Sequence, residues 1–372
     1  MLAHSTNPRG GVVHALELCE ALAALGHEPV LFAPDASGAG FYRPAACEVR
    51  PWQAAPAPGE VAALLALRRA ELAALLTPAL CGTFDLFQAH DSISANALAD
   101  LCEAGRIGGY LRTVHHLDHF TDAGLAALQR RGIVRAQGLF AVSRAGQAAL
   151  ADGFARAATL VGNGVDIARF SPEADETDAK LRFRLALGPG PVVLSLGGIE
   201  RRKNTLGIFE GFRALRRTHA HAVLVIAGGA SLLDHSAYQR EFAAALARSG
   251  LPAGAVRVLG PVAQPDMPAL YRLADVLAFP SLHEGFGLAV LEAMASGLPV
   301  LVPRSAPFTE YLAEGDVAWC EGGDIASALR FALENADALR PRGLAVAPRW
   351  RWRDVAAAHL PAYQRMKEAA YA

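Results

Sequence analysis

Two glutamates in the carboxyl-terminal half of the chain, Glu284 and Glu292, lie in a glycine-containing segment that could carry chemistry. The apolar residues 276–279 before them predict a short buried strand that ends at a proline. Apolar residues at helical spacing over 288–295 predict a helix, which a glycine and a proline then terminate. The sequence therefore predicts a strand, a glycine turn and a helix, with one carboxylate in the turn and the other inside the helix.

This arrangement suits a phosphate group. Gly285 and Gly287 let the backbone approach a ligand closely, and the free N–H groups at the start of a helix favour an anion. If residues 284–292 were all helical, the two glutamates would lie roughly 12 Å apart, whereas a retaining glycosidase needs its carboxyl groups about 5 Å apart. The spacing excludes a hydrolase dyad. Two interpretations remain open. In one, a diphosphate lies between the two glutamates, one of which binds a sugar and the other a ribose; in the other, both glutamates are simply solvated.

Two further segments could bind an anion. Residues 201–203 are three consecutive cations that follow a predicted strand at 192–196, a position well suited to a diphosphate. The alternative is a solvated basic turn. In the amino-terminal half, Gly10 and Gly11 begin a helix that ends at Gly26. A glycine pair at a helix start is either an anion site or an ordinary helix cap.

Histidines follow a predicted strand at residues 110–114. His115 and His116 come directly after that strand, and His119 lies close behind. Ligands bind beyond the carboxyl ends of strands in doubly wound sheets, so a functional histidine is expected here. The group also suggests a metal site, which neither a nearby cysteine nor a second histidine cluster supports.

The composition is that of a well-cored globular protein of two domains. The chain has 372 residues, of which 52% are hydrophobic and 19% are charged. A net charge of -1 gives no global basic field for nucleic acid or a membrane. Five scattered cysteines without a Cys-x-x-Cys pair favour reduced thiols and a cytoplasmic location. The sequence shows neither a secretory signal pattern nor an uninterrupted apolar run of about 18 residues.

Strands and helices alternate along the chain, which predicts parallel sheets. In the carboxyl-terminal half, strands are expected at residues 192–196, 222–226, 256–259, 276–279 and 300–302. In the amino-terminal half, they are expected at residues 30–33, 85–89, 110–114, 138–143 and 159–161, with an irregular strand near 47–50. The absence of a Gly-x-Gly-x-x-Gly after the carboxyl-terminal strands argues against a nicotinamide dehydrogenase.

Two helices raise separate questions. A helix at residues 60–76 carries Arg68 and Arg69, which we interpret as a solvated face, although the pattern also fits a helix lying on a membrane surface. A terminal helix at residues 351–371 is expected to be interrupted at Pro361.

The segment around Glu284 and Glu292 resembles a known signature. The residues Pro-Ser-x-x-Glu-Gly-Phe-Gly-Leu, followed by Glu-Ala-Met-Ala-x-Gly-x-Pro-Val, closely resemble the motif of family-4 retaining glycosyltransferases, also called glycosyltransferase group 1. The resemblance covers nearly the whole chain and is strongest over residues 192–304. It implies the GT-B fold, an α/β architecture of two Rossmann-like doubly wound parallel-sheet domains that face each other across a cleft, with a C-terminal helix crossing back to the first domain.

The same resemblance implies a division into domains. Asn-Gly-Val-Asp at residues 163–166, followed by Phe-x-Pro, resembles the interdomain linker of the family. We therefore expect an acceptor domain at residues 1–168, a nucleotide-sugar-binding domain at 169–349 and a crossover helix at 350–372, with Trp350 and Trp352 packing at the crossing. Family members usually open with a full strand. Because four residues precede the first glycine loop here, the first strand is expected to be very short or the start annotated late.

The resemblance also implies a set of site residues. The catalytic residues expected from it are Glu284, His115, Arg202 and Lys203. The substrate-binding residues expected from it are Gly10, Gly11, Val262, Gly285, Phe286, Gly287, Leu288 and Glu292.

Roles follow from the positions of these residues in the family motif. His115 would touch the donor sugar, and Arg202 with Lys203 would neutralise the leaving nucleoside diphosphate. Val262 would lie beside the nucleobase through its backbone. Family members often carry an arginine where this chain has Gly198, and Arg201 is a candidate to supply the missing charge.

The implied function is transfer of a sugar from a nucleotide sugar, such as a UDP- or GDP-sugar, to an unidentified acceptor with the anomeric configuration kept. The resemblance implies no cofactor and no metal, and the net charge of -1 argues against a nucleic-acid partner. Alternatives are a nucleotide-sugar epimerase or a phosphorylase of the same fold, a non-catalytic nucleotide-sugar binding protein, and a membrane-bound lipid glycosyltransferase. The sequence leaves the sugar, the nucleobase, the acceptor and the oligomeric state open.

Overall fold

A computed structural model of the chain describes residues 1–229 and 235–371, with side chains described as far as residue 368. Within these ranges the chain forms two compact units. The first comprises Met1–Gly164 together with Trp352–Ala372, and the second comprises Val165–Arg351. The linker motif predicted a division near residue 168. The division between the two units lies a few residues earlier, between Gly164 and Val165.

Parallel strands form the sheets of the first unit. They are β1 (Val30–Asp35), β2 (Glu48–Gln53), β3 (Gln88–Ala89), β4 (Leu111–Val114), β5 (Gly138–Ala141) and β6 (Thr159–Leu160). β1 pairs with β2, and a second sheet runs in the order β3-β4-β5-β6. Leu2 forms parallel bridges with both Phe32 of β1 and Ala89 of β3. The short amino-terminal segment thus joins the two sheets at a bridge of one residue in place of a full strand.

Helices cover the sheets of this unit. They are α1 (Gly10–Ala24), α2 (Val61–Leu75), α3 (Pro78–Cys81), α4 (Ser92–Glu103), α5 (Ala123–Val134), α6 (Arg144–Phe154) and the terminal helix Trp352–Tyr371. Asp91, Asp122 and Ser143 accept backbone N–H bonds at the starts of α4, α5 and α6. These N-caps explain why each helix begins where it does.

Two predictions about helices were wrong. The terminal helix is not interrupted, since it continues through Pro361. Packing supplies the reason: Ala358, Ala362, Tyr363 and Met366 lie against a buried cluster that includes Phe140. This burial offsets the backbone hydrogen bond that a proline removes.

The arginines of α2 do not form a solvated face. Arg68 is 5% exposed and donates to Glu71 and to the carbonyl of Ala55. Arg69 makes a bidentate pair with Asp100 of α4. Arg68 is therefore buried and paired with a carboxylate of its own helix, whereas Arg69 is partly exposed and pairs with a neighbouring helix. None of the helices in the described ranges is long and apolar enough to cross a membrane.

The second unit contains a parallel sheet in the order β12-β11-β10-β7-β8-β9. Its strands are β7 (Val192–Leu196), β8 (Val223–Ala227), β9 (Val256–Gly260), β10 (Val276–Ala278), β11 (Val300–Pro303) and β12 (Ala318–Cys320). The predicted strands are confirmed to within one or two residues. β12 was not predicted, although residues 317–320 are an apolar run of the same length as residues 276–279. The strand order reverses between β7 and β10, which is the topological switch point where doubly wound sheets bind ligands.

The helices of this unit are α7 (Glu176–Arg184), α8 (Thr205–Leu215), α9 (Ser236–Arg248), α10 (Met267–Leu273), α11 (Leu288–Ala295), α12 (Ile325–Glu334) and α13 (Ala336–Val346). Short 3₁₀ turns lie at Arg201–Lys203, Gln264–Asp266, Phe308–Glu310 and Ala347–Arg349. The core of the unit is an apolar cluster formed by the sheet with α8 and α12, and it includes Val193, Phe209, Phe212 and Leu329. This core holds the carboxyl ends of β7 and β10 side by side.

Candidate active site

The predicted catalytic residues of the second unit lie at the switch point of its sheet. β7 and β10 are neighbours, with Val193 opposite Val276. The turn after β7 carries Arg202 and Lys203, and the turn after β10 carries Glu284. Since carboxyl ends of parallel strands share one edge of the sheet, the topology brings these turns together.

Lys203 is a buried cation, 8% exposed. Its Nζ lies 4.2 Å from the centroid of the Phe279 ring. A Cβ at Gly197 would lie 2.7 Å from the lysine Cε, so the space beside the side chain exists because residue 197 is a glycine. Burial lowers the pKa of Lys203, an effect that the carboxylate of Glu284 opposes.

Glu284 joins the two cations. Lys203 Nζ lies 2.7 Å and Arg202 Nη1 lies 3.3 Å from the same oxygen, Oε2 of Glu284. The backbone N–H of Leu282 donates to the carbonyl of Arg202 at 2.8 Å, which ties the two turns together. The structure thus brings Glu284, Arg202 and Lys203 into one charged cluster.

Arg201 points elsewhere. Its guanidinium lies 5.0 Å from the centroid of the Tyr238 ring and 3.5 Å from a carboxylate oxygen of Glu241, both on α9. Arg202, and not Arg201, therefore accompanies Lys203 beside Glu284.

The glycine turn leads directly into α11. Gly285 and Phe286 lie in the turn, Gly287 precedes the helix with φ of +99°, and Leu288 is the first helical residue. A side chain at Gly287 would be strained by this φ and would meet Phe308 at 2.8 Å. The first N–H groups of α11 have no acceptor inside the helix, so this end is suited to an anion.

Glu292 lies inside α11, where the hydroxyl of Tyr271 donates to its Oε2 at 2.6 Å. Burial raises the pKa of Glu292, and the hydrogen bond from Tyr271 opposes that shift. Tyr271 thus orients this carboxylate, which was predicted to bind substrate. Val262 follows β9, at the same carboxyl edge of the sheet, and is partly buried.

Sequence reasoning missed several residues that contact the predicted site residues. Glu200 is 4% exposed and lies 3.7 Å from Arg202 and 3.6 Å from His235. Tyr271 and Tyr311 come from separate elements, so no local spacing pointed to them. Phe279 could have been found from the sequence, because it is the last residue of the predicted strand directly before the motif.

In the first unit, Gly11 and His115 lie together. His115 follows β4, and a Cβ at Gly11 would lie 3.1 Å from its Cδ2. Gly10 is the first residue of α1, and a Cβ there would meet no atom within 4 Å. The glycine pair predicted to bind substrate and the histidine predicted to touch the donor sugar are therefore adjacent within this unit.

His115 belongs to a cluster of imidazoles, which we call the histidine cluster, formed with His14, His90 and His359. The ring of His14 lies 4.8 Å from that of His115, 5.5 Å from that of His90 and 6.1 Å from that of His359. Burial lowers the pKa of His14 to about 4 and that of His359 to about 3. Burial also holds the pKa values of His90 and His115 well below the usual range. The imidazoles are therefore neutral at pH 7.

Polar groups of the histidine cluster have few partners. His14 Nδ1 lies 2.7 Å from Oδ1 of Asn163, the first residue of the linker motif. The Nε2 atoms of His14, His90 and His359 are buried without a hydrogen-bond partner. Across the described ranges, no three His, Cys, Asp or Glu side chains are arranged so that they could hold a metal ion.

Comparison with known proteins covers both units. Residues 178–342 match the family model described as glycosyl transferases group 1, and residues 8–169 match the model described as Glycosyltransferase Family 4. A GDP-mannose-dependent alpha-(1-6)-phosphatidylinositol monomannoside mannosyltransferase of Mycobacterium tuberculosis is 31% identical over 300 residues, which are 74% of this chain and 75% of that protein. The D-inositol 3-phosphate glycosyltransferase of Salinispora arenicola is 38% identical over 152 residues, 38% of this chain and 33% of that protein.

Coverage of other relatives is partial, and the chain spans about half the length of several curated relatives that it matches. Among solved structures, Anabaena Alr3699/HepE in complex with UDP and glucose superposes with a TM-score of 0.74, at 20% identity and with 98% of each chain covered. This structural likeness confirms the predicted GT-B fold.

Proposed function

Because this chain belongs to the group 1 glycosyltransferases, with an amino-terminal domain of family 4, we propose that it transfers a sugar from a nucleotide-sugar donor to an acceptor. The observation that carries this proposal is the charged cluster of Lys203, Arg202 and Glu284 beside the start of α11. Such a cluster suits a reaction in which a nucleoside diphosphate departs.

The chemistry depends on stabilising the leaving group. When the bond between sugar and diphosphate breaks, negative charge grows on the phosphate oxygens. Lys203 is removed from water, so its attraction for that charge is screened less than it would be at the surface. The N–H groups at the start of α11 add a favourable dipole. These groups supply the stabilisation that the proposed transfer needs without a divalent metal.

We favour retention of the anomeric configuration. A covalent sugar intermediate would need a carboxylate free to attack, and Oε2 of Glu284 already accepts from both Lys203 and Arg202. Attack by the acceptor on the face that the diphosphate leaves, with a donor phosphate oxygen taking the acceptor proton, needs no such nucleophile. Glu284 then orients the two cations.

The donor is proposed to be a GDP- or UDP-sugar. The Mycobacterium tuberculosis relative is named as GDP-mannose-dependent, and the Anabaena structure is named as a complex with UDP and glucose. A panel of GDP-, UDP- and ADP-sugars, screened by thermal shift, would select the donor. A ligand at 100 times its dissociation constant adds about 2.7 kcal/mol of stability. Donors that raise the melting temperature then enter a transfer assay, run with and without EDTA.

Removing either charged partner should abolish most transfer. We expect Lys203→Ala or Glu284→Ala to lower kcat by about 100-fold or more, as loss of a charge-stabilising group often does. Arg201→Ala is the matched control, because Arg201 lies in the same turn but contacts Tyr238 and Glu241. Near-normal transfer by folded Lys203→Ala and Glu284→Ala would overturn the proposal. Donor binding without turnover by the wild type would instead favour a non-catalytic binding protein.

A further inference from the structure

Tyr311 holds the backbone of the glycine turn. Its hydroxyl donates to the carbonyl of Phe286 at 3.1 Å. Burial raises the pKa of Tyr311 well above its ordinary value, with Glu284 adding to the shift, so the hydroxyl stays protonated and remains a donor. Tyr311 lies 24 or more residues from the turn in sequence, just after the 3₁₀ turn Phe308–Glu310.

The peptide between Phe286 and Gly287 needs such a restraint. Glycines flank Phe286 on both sides, and Gly287 has φ of +99°, a region that glycine enters freely. In a trans peptide the N–H points opposite to the C=O. While Tyr311 holds the carbonyl of Phe286 on its own side, the N–H of Gly287 must point away from Tyr311. This N–H precedes those of the first turn of α11.

Aromatic packing fixes the tyrosine itself. The rings of Tyr311 and Phe286 are stacked, with centroids 4.8 Å apart and planes 2° from parallel. Trp350 packs edge-on against both rings, with its centroid 5.4 Å from each. Phe308 fills the space beside Gly287, where a Cβ would lie 2.8 Å from its ring. The hydroxyl therefore cannot leave the carbonyl without disturbing this stack.

We propose that Tyr311 is a positioning residue for the donor diphosphate, because its bond to the Phe286 carbonyl presents the N–H of Gly287 in line with the first N–H groups of α11. This inference rests on the proposed function, since it assigns the anion at this turn to a nucleoside diphosphate. Tyr311 does not touch the donor. It acts through the orientation of a peptide plane.

Tyr311→Phe separates this role from a structural one, because phenylalanine keeps the stacked ring and removes the hydrogen bond. The dissociation constants of UDP, GDP, uridine and guanosine are measured by calorimetry for the full-length wild type and variant. We expect the variant to bind the preferred diphosphate about threefold to tenfold more weakly, the range for loss of one neutral hydrogen bond. Binding of the matching nucleoside, which lacks phosphates, should change by less than about twofold.

Tyr238→Phe is the matched control. The Tyr238 hydroxyl also bonds to backbone, accepting from the N–H of Leu206 at 2.9 Å, but its ring lies beside Arg201. We expect this variant to bind the diphosphate as the wild type does. If Tyr311→Phe bound the diphosphate as tightly as the wild type, this inference would be overturned and the proposed function would not. The same holds if the variant lost equal affinity for the diphosphate and the nucleoside. A wild type that binds neither UDP nor GDP would overturn the proposed function as well.

Discussion

Burial determines the charge of individual histidines in the first unit. His14 and His359 have pKa values lowered to about 4 and about 3, because an imidazolium would be desolvated in the histidine cluster. An unfolded histidine titrates at about 6.5. Between these pH values the unfolded chain binds more protons than the folded one. The contribution of these histidines to stability is therefore fully present above about pH 6.5, and it declines as the pH falls towards the folded-state pKa values.

A single substitution should flatten this pH dependence. Each such histidine contributes a slope of about 1.4 kcal/mol per pH unit in the window from about 6.5 down to about 4. We expect His359→Leu, which cannot titrate, to lose stability less steeply than the wild type in melting curves recorded from pH 7.5 to 4.5. His27→Leu is the control, since His27 is exposed. If the slope were the same in His359→Leu and the wild type, the lowered pKa of His359 would be contradicted.

At the scale of elements, the turn after β7 depends on glycines. Gly198 has φ of +77°, and a Cβ there would meet the carbonyl oxygens of Gly229 and Gly228 at 3.1 and 3.2 Å. Gly228, at the end of β8, has φ of +121°, and its own Cβ would lie 2.7 Å from the Gly198 nitrogen. A side chain at residue 198, where the resemblance places an arginine, would therefore crowd a second backbone segment in this chain.

Gly198→Ala should therefore destabilise the second unit. A left-handed φ costs an L-residue about 1–2 kcal/mol, and the contacts with backbone add to that cost. We expect the melting temperature to fall by about 2–4 °C per kcal/mol for a unit of this size. Gly188→Ala is the matched control, because a Cβ there meets no atom within 4 Å and its φ lies outside the left-handed region. Equal melting temperatures for both variants would show that the crossing is not constrained.

At the scale of the whole molecule, the last helix completes the first unit. Trp352–Tyr371 follows the second unit in sequence but belongs to the first. Trp352 packs edge-on against His14 of α1, and Ala356 is fully buried. The terminal helix therefore covers the part of this unit's core that lies near Phe140 and His14.

A charge on the buried face of this helix should disrupt the first unit. We expect Ala356→Asp to cost about 3 kcal/mol or more, since a carboxylate would be buried without a partner. Ala357→Asp is the control, because the adjacent Ala357 is exposed on the same helix. Calorimetry of the full chain measures both, and wild-type stability of Ala356→Asp would show that the helix is not needed.

Local patterns in the sequence determined much of this protein. The motif around Glu284 predicted the family and the GT-B fold, and both are confirmed. The strand Val192–Leu196 and the helix Leu288–Ala295 could be predicted because their apolar patterns, and the glycines that mark their ends, lie within a few consecutive residues. The functional roles of the site residues stay predictions.

Contacts between distant segments were decided by the tertiary structure. Sequence spacing could not choose between Arg201 and Arg202, because side-chain direction in a 3₁₀ turn depends on what packs around it. It could not predict that Tyr311 contacts the glycine turn, that Arg69 pairs with Asp100 of α4, or that the last helix continues through Pro361. Each of these outcomes depends on contacts with elements remote in sequence, and a local sequence pattern does not identify such partners.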